Sequence, residues 1–205
     1  MDVDYIRHSS GQMFKSPLIE RFSRVHPATP FVFYAPIITW ALVYAWLHQI
    51  TSVAYIALFV PAGWFTWQIL EYTIHKGFFH WEGNGPFTRR IHDIAHGYHH
   101  KYPDDTQRLV MPLGASIPAA AVIAGVLWLF HAPAVTIPMF FGIMAAYMFY
   151  DFTHWSTHAR APKTRWGKAI RSHHMAHHFA SPAHNFGISH RWLDVVLGTG
   201  QRREP

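Results

Sequence analysis

The sequence predicts an all-α integral membrane protein: four transmembrane helices in two hairpins, with a histidine-rich helical cap on the cytosolic side. Three observations predict it. Four apolar stretches are long enough to span a bilayer. The basic residues are sorted to one side of those stretches. The histidines gather beside the stretches' ends on that same side.

Half of the 205 residues are apolar and 14% are charged, so little of the chain is suited to solvating a surface. A spanning helix needs about 20 mostly apolar residues. Residues 31–47, 52–70, 109–130 and 134–150 meet that requirement. Pro61 and Gly63 in the second and Pro112 and Pro118 in the third are tolerable, because neighbouring helices can satisfy the freed backbone groups.

Residues 48–51 separate the first two spans and residues 131–133 the last two, and neither connection holds a lysine or arginine. The 17 basic residues lie elsewhere: four in residues 1–30, five in 76–108 and eight in 156–205. With four spans those three segments share one side, and the positive-inside rule makes it cytoplasmic. A soluble all-α protein with buried core helices has no reason to sort its charge this way. The net charge of +6 therefore points to a membrane surface and away from nucleic acid. The expected organisation is one domain, residues 1–205, with the cap formed by 76–108 and 156–205.

Residues 1–30 carry acids near the start and no signal-peptide pattern. Ser16 and Pro17 resemble an N-cap and first helical position. Leu18, Ile19, Phe22 and Val25 then form one apolar stripe, which reads as an interfacial helix or as a short packed pre-helix.

There is no cysteine, which excludes disulfides and thiolate ligands, whereas histidine occurs 18 times. Imidazole is the commonest metal ligand. Ten histidines form four groups at the cytoplasmic ends of the spans: His75 and His80; His96, His99 and His100; His154 and His158; His174, His177 and His178. Residues three and four apart share a helix face, so each group except the first is expected to point together. His75 and His80 are five apart and would splay on a straight helix unless the chain breaks or tightens at Gly77.

A zinc ion typically takes four ligands, so ten imidazoles suit two ions close together. Glu71 and Asp151 precede His75 and His154 by four and three residues. Each is expected either to accept the second N–H of a ligand histidine or to be an end-of-helix charge. His92 shares a face with His96 and is a further outer candidate. His8, His26, His48 and His131 stand alone; His173, His184 and His190 are ambiguous, and His174 is preferred to His173 because it completes the pattern.

Imidazole suits iron, zinc, copper and nickel. No HExxH motif is present for zinc hydrolysis, and the spans lack the polar groups of a metal transporter. Redox iron acting on a lipid chain remains.

The histidine pattern resembles the fatty acid hydroxylase superfamily. Three more stretches are similar to its fatty acid 2-hydroxylase branch: Glu71-Tyr-Thr-Ile-His75; His99-His-Lys-Tyr-Pro103 continuing through Arg108-Leu-Val to Pro112; and Phe186-Gly-Ile-Ser189 to Trp192-Leu-Asp194. The likeness runs from about Met13 to Thr199. It implies a four-helix anchor, a cytosolic cap, and a dimetal centre of two irons held by the ten histidines, where zinc can replace iron. It also implies hydroxylation of a long acyl chain at C2 with O₂. Many eukaryotic members carry an N-terminal cytochrome b5 domain. Residues 1–30 are too few for one, so the expected electron donor is separate, such as cytochrome b5 or a ferredoxin with its reductase. The alternatives are a sterol, hopanoid or carotenoid hydroxylase or desaturase of the same superfamily, and a non-catalytic membrane metal-binding protein.

Overall fold

A computed structural model describes residues 10–201. Among them the secondary structure is entirely helical. A short helix, α1 (Pro17–Phe22), leads to α2 (Thr29–Leu47) and α3 (Val53–Thr73), which continues as a π-helical segment, Ile74–Phe79. The first part of the cap is α4 (Pro86–His92), a second π segment (Asp93–Gly97) and α5 (Tyr98–Lys101). The second hairpin is α6 (Leu113–Phe130) and α7 (Pro133–Ala159), and α8 (Arg165–Phe179) and α9 (Trp192–Val196) complete the cap.

Among the described residues, four helices are long and apolar enough to cross a membrane: α2, α3 with its π extension, α6 and α7. Their connections are tight. Gln49 ends α2 in the left-handed region (φ 57°), and the Ser52 hydroxyl caps α3 by accepting from the Tyr55 N–H at 3.2 Å. The Thr51 hydroxyl donates to the Ala134 carbonyl (2.8 Å), joining the two connections.

α7 is the central helix. Half of its apolar stretch is covered by protein, against 22% or less for the other three. Ile143, Met144 and Tyr147 pack there against Tyr34, Trp67 and Leu127. A Cβ on Gly63 would stand 2.0 Å from the Met139 carbonyl oxygen, and one on Gly142 would stand 2.1 Å from that of Val60. Only glycine at both points lets α3 and α7 come this close, the small-residue contact that membrane helices use where lipid removes the hydrophobic drive to associate. Trp40, Leu58, Val122, Leu129 and Phe130 project outward, as lipid-facing side chains do.

The helices depart from the sequence expectation at the cap side. The third span begins at Leu113, because residues 109–112 form a non-helical strap, buried at Leu109 and Val110 and ending in Pro112, the N-cap of α6. A proline there pushes the preceding residue out of helical conformation. The fourth helix runs on to Ala159, carrying Asp151, His154 and His158 on one continuous rod. α1 has no buried residue, and Leu18, Ile19 and Phe22 are exposed, so it is not a packed pre-helix.

The strap is held by Arg108, whose buried guanidinium donates to Asp105 Oδ2 (2.6 Å), the Tyr98 hydroxyl (2.7 Å), Ser23 Oγ (2.9 Å) and Glu20. This network ties residues 10–25 to the segment entering α6.

Candidate metal centre

The ten histidines converge between the bundle and the cap in two groups of five. His75, His80, His96, His100 and His177 form the first; His99, His154, His158, His174 and His178 form the second. Within each group the candidate ligand atoms all lie within 4.8 Å of one another. The groups abut, with the ring of His100 stacked on that of His178 at 4.3 Å between centroids.

Local backbone explains who points where. Successive residues on an α-helix are about 100° apart, so adjacent histidines diverge. Each HxxHH motif is therefore divided and does not act as one face: His96 and His100 enter the first group and His99 the second, while His177 enters the first and His174 and His178 the second. His75 and His80 meet because the chain widens between them. The His80 N–H bonds to the His75 carbonyl five residues back (3.3 Å), the π-helical pattern, which stacks residues five apart. A widened turn, not a break or a tightening at Gly77, brings the pair together.

The ring nitrogens are aligned for a cation. Nε2 atoms face one another at 3.0 Å for His75 and His96, 2.8 Å for His100 and His96, 3.0 Å for His80 and His177, 2.9 Å for His154 and His99, and 2.8 Å for His158 and His174. On the far side of the rings, Nδ1 of His75 donates to the Phe186 carbonyl (2.6 Å), that of His177 to the His184 carbonyl (2.7 Å) and that of His154 to the Leu109 carbonyl (2.9 Å). A proton on Nδ1 leaves a lone pair on Nε2. Each of these three Nε2 lone pairs is free to bind a cation placed between the facing rings. Metal–nitrogen bonds of about 2.0–2.1 Å would separate ligand atoms by about 2.8–3.0 Å at octahedral angles and about 3.3–3.4 Å at tetrahedral ones, and these spacings match the first.

Burial, with mutual repulsion among the rings second, holds His96, His99, His100, His174 and His178 well below the ordinary imidazole pKa. Burial brings His80 down to about 3 and His177 to about 4. These imidazoles are neutral at physiological pH, as ligands must be. The donor set fits a metal.

The outer candidates fall differently. Glu71 touches no group histidine. Its carboxylate accepts the N–H groups of Ile188 and Ser189 (2.7 Å each) and the Ser189 hydroxyl, and the Phe186 carbonyl takes the place at His75 that the spacing suggested for Glu71. Asp151 is buried, but the acceptor at His154 Nδ1 is Leu109 on the strap. In each case a carbonyl brought in from a distant segment already occupies the histidine's Nδ1. His92 lies outside both groups, packed over Gly97.

His173 faces away, with Nε2 3.0 Å from Asp194 Oδ2. His190 Nε2 donates to the Gln68 carbonyl (3.0 Å), and His26, His48 and His131 stand apart from the groups. His8 lies outside the described residues.

Asp194 went unassigned in the sequence. Fully buried, it accepts the N–H groups of Phe186 (2.9 Å) and Gly187 (2.8 Å), the Thr199 hydroxyl (2.7 Å) and the His173 ring. Two carboxylates, Glu71 and Asp194, thus fold residues 186–189 into the turn that offers the Phe186 carbonyl to His75. The quoted Phe186–Asp194 stretch was the available signal, but the acceptors themselves are backbone atoms.

Fold and site together define a multi-pass helical membrane protein with two abutting histidine clusters at the cap-side end of its bundle. The fatty acid hydroxylase family model matches residues 60–199, and the chain belongs to that family. It is 35% identical to the dihydroceramide fatty acyl 2-hydroxylase FAH2 of Arabidopsis thaliana, over 70% of this chain and 61% of that protein. With the ceramide very long chain fatty acid hydroxylase scs7 of Schizosaccharomyces pombe it shares 31% over 94% of this chain and 57% of the relative. Human fatty acid 2-hydroxylase is 35% identical over 70% of the chain and 39% of its own length. The chain thus spans less than two thirds of each of these relatives. A solved structure described as full-length scs7p, with only the hydroxylase domain visible, shares the fold: TM-score 0.85, 24% identity, covering 92% of this chain and 71% of that one.

Proposed function

We propose that this chain is a dimetal monooxygenase that places one hydroxyl at C2 of a long acyl chain, free or within a lipid. The balance is R–H + O₂ + two electrons + two protons giving R–OH + H₂O, with the electrons delivered by a separate carrier. The observation that carries this reading is the pair of five-histidine groups, Nε2 inward, at the end of an apolar bundle; relatives named as acyl 2-hydroxylases support the substrate class.

In this reading His75, His80, His96, His100 and His177 hold one iron, and His99, His154, His158, His174 and His178 the other. Bound iron supplies the redox chemistry that splits O₂ and attacks an unactivated C–H bond. The carbonyls of Phe186, His184 and Leu109 keep the donors in the required tautomer. Glu71 and Asp194 hold the turn that presents the first of these. The ten imidazoles bring no charge of their own, so they would leave the positive charge of bound ions uncompensated.

The outward face of α2, with Phe31, Ala35, Trp40 and Val43, is an open apolar surface along which the chain can lie. Its cap-side end meets Phe152 through Phe31 (6.3 Å), two residues before His154. A lipid held by its polar head at the cap would put its first methylenes beside the metals, and positioning of that kind is worth much of a barrier. The centre and both termini lie on the cytoplasmic side, as the placement of the basic residues suggests.

The test is expression in a host lacking 2-hydroxy lipids, with a reductase system, followed by mass spectrometry of hydrolysed lipids. 2-Hydroxy acyl chains carrying label from ¹⁸O₂ are expected. Label from water would exclude the mechanism. Oxidation confined to sterol, hopanoid or carotenoid rings would exclude the substrate.

A further inference from the structure

We propose that α9 is a membrane anchor: the run Val195-Val196-Leu197 inserts into the acyl region of the bilayer that holds the four spans, and fixes the depth of the first histidine group. The sequence places this segment in a cytosolic cap, and its surface contradicts a purely aqueous setting. Val195 is 73% exposed, Val196 70%, Leu197 53% and Trp192 41%, while Leu193 and Asp194 on the other side of the same short helix are buried. An exposed contiguous apolar run marks a contact surface.

Two tethers give its depth. The Trp192 indole N–H donates to Gln68 Oε1 (2.6 Å), and His190 Nε2 donates to the Gln68 carbonyl (3.0 Å). One turn on, the Tyr72 hydroxyl bonds the Thr199 hydroxyl at 2.9 Å. Gln68 and Tyr72 belong to α3, which starts at Val53 beside the capped, polar far-side connection. At 1.5 Å per residue Gln68 lies about 22 Å and Tyr72 about 28 Å along the helix, so both fall within the ~30 Å of a hydrocarbon core. Phe65 and Ile69, flanking Gln68, are exposed at the same level. A segment hydrogen-bonded to these two residues cannot stand clear of the membrane.

The flanks suit such a position. Arg191 at the start of α9 and Lys76, whose ammonium lies 5.8 Å from the Tyr72 ring centroid, are exposed cations. At this level they reach lipid phosphates while their stems stay in the apolar zone. Gly198, with φ 67°, turns the chain back so that Thr199 regains Tyr72 and Asp194. The buried side of α9 packs Leu193 with Phe186 and Tyr72. The Phe186 carbonyl holds His75. Lipid contact at α9 is thereby transmitted, through one small core, to the first histidine group.

The chain has no cysteine, so single-cysteine variants report one site each. Val196→Cys is compared with Val126→Cys on the exposed face of α6 and Glu82→Cys, beyond the cap-side end of α3. Each full-length variant carries a bimane label in phosphatidylcholine–phosphatidylglycerol vesicles, with iodide in the water or lipids brominated at shallow or deep acyl positions. Label at 196 should be quenched by the shallow brominated lipids and be several-fold less sensitive to iodide than label at 82. Iodide access at 196 equal to that at 82, with 126 shielded, would overturn the anchor alone. Access at 126 as well would overturn the spans on which the anchor depends. Oxidative cross-linking of Val196→Cys between two copies in near-complete yield would make the face a dimer contact and equally overturn the proposal.

Discussion

At the scale of single residues, the chemistry of the site rests on where protons sit. Burial opposes ionisation of Asp194, yet the hydrogen bonds from His173, Gly187, Thr199 and Phe186 more than offset it, and the carboxyl lies below its ordinary pKa. A carboxylate with a depressed folded pKa contributes stability that is present above the unfolded value, about 3.9, and is lost as pH falls through the folded one. Asp194→Asn should therefore lower the stability of the protein at pH 7, by about 1–3 kcal/mol for buried donors left without their charged acceptor. The gap between variant and parent should narrow below pH 4; melting curves in detergent at the two pH values check this. Metal content gives a second test. His177→Ala and His99→Ala should each remove about one ion per chain from opposite groups, whereas His131→Ala should remove none, as read by elemental analysis. Loss of both ions from either variant would mean that the groups do not bind independently.

At the scale of elements, the π segments do what the α-helix cannot. Ile74–Phe79 aligns residues five apart, and Asp93–Gly97 leads into the α5 turn that parts His99 from His100. Such widened turns cost hydrogen-bond quality and recur where a side chain must be re-aimed. Gly77 has open space at its Cβ position, so the turn is not there to accommodate that glycine. Inserting one alanine after Gly77 should place the second histidine six residues after His75 and swing it by about 100°, away from that ring. The expected outcome is a folded protein with bound metal reduced in the first group and retained in the second. An insertion variant with full metal content would show that the five-residue spacing is dispensable.

At the scale of the whole molecule, the hairpins set the topology. Gln49 lies in the first connection and Ala132 in the second, and the Thr51–Ala134 hydrogen bond places both connections at one end of the bundle. Lys168 lies on α8, at the other end with the histidines. In intact cells an impermeant maleimide should label Gln49→Cys and Ala132→Cys, and should label Lys168→Cys only after permeabilisation. The reverse pattern would invert the orientation given by the positive-inside rule.

The number of spans, the one-sided placement of the basic residues and the inventory of ten histidines were legible in the sequence, whereas the cap-side ends of the third and fourth spans were not. Length of an apolar run, charge bookkeeping along the chain and residue type are one-dimensional properties. Tertiary structure alone decided how the ten histidines divide into five and five, because two neighbours such as His99 and His100 diverge by about 100° and each motif must serve both groups. It also decided which atoms orient the rings. Glu71 and Asp151 have the right charge at the right spacing, but the partners of His75 and His154 are the carbonyls of Phe186 and Leu109. A backbone carbonyl is the same in every residue, so no side chain announces that it will accept a hydrogen bond from a histidine 111 or 45 positions away. Only the folded path of the chain brings it there.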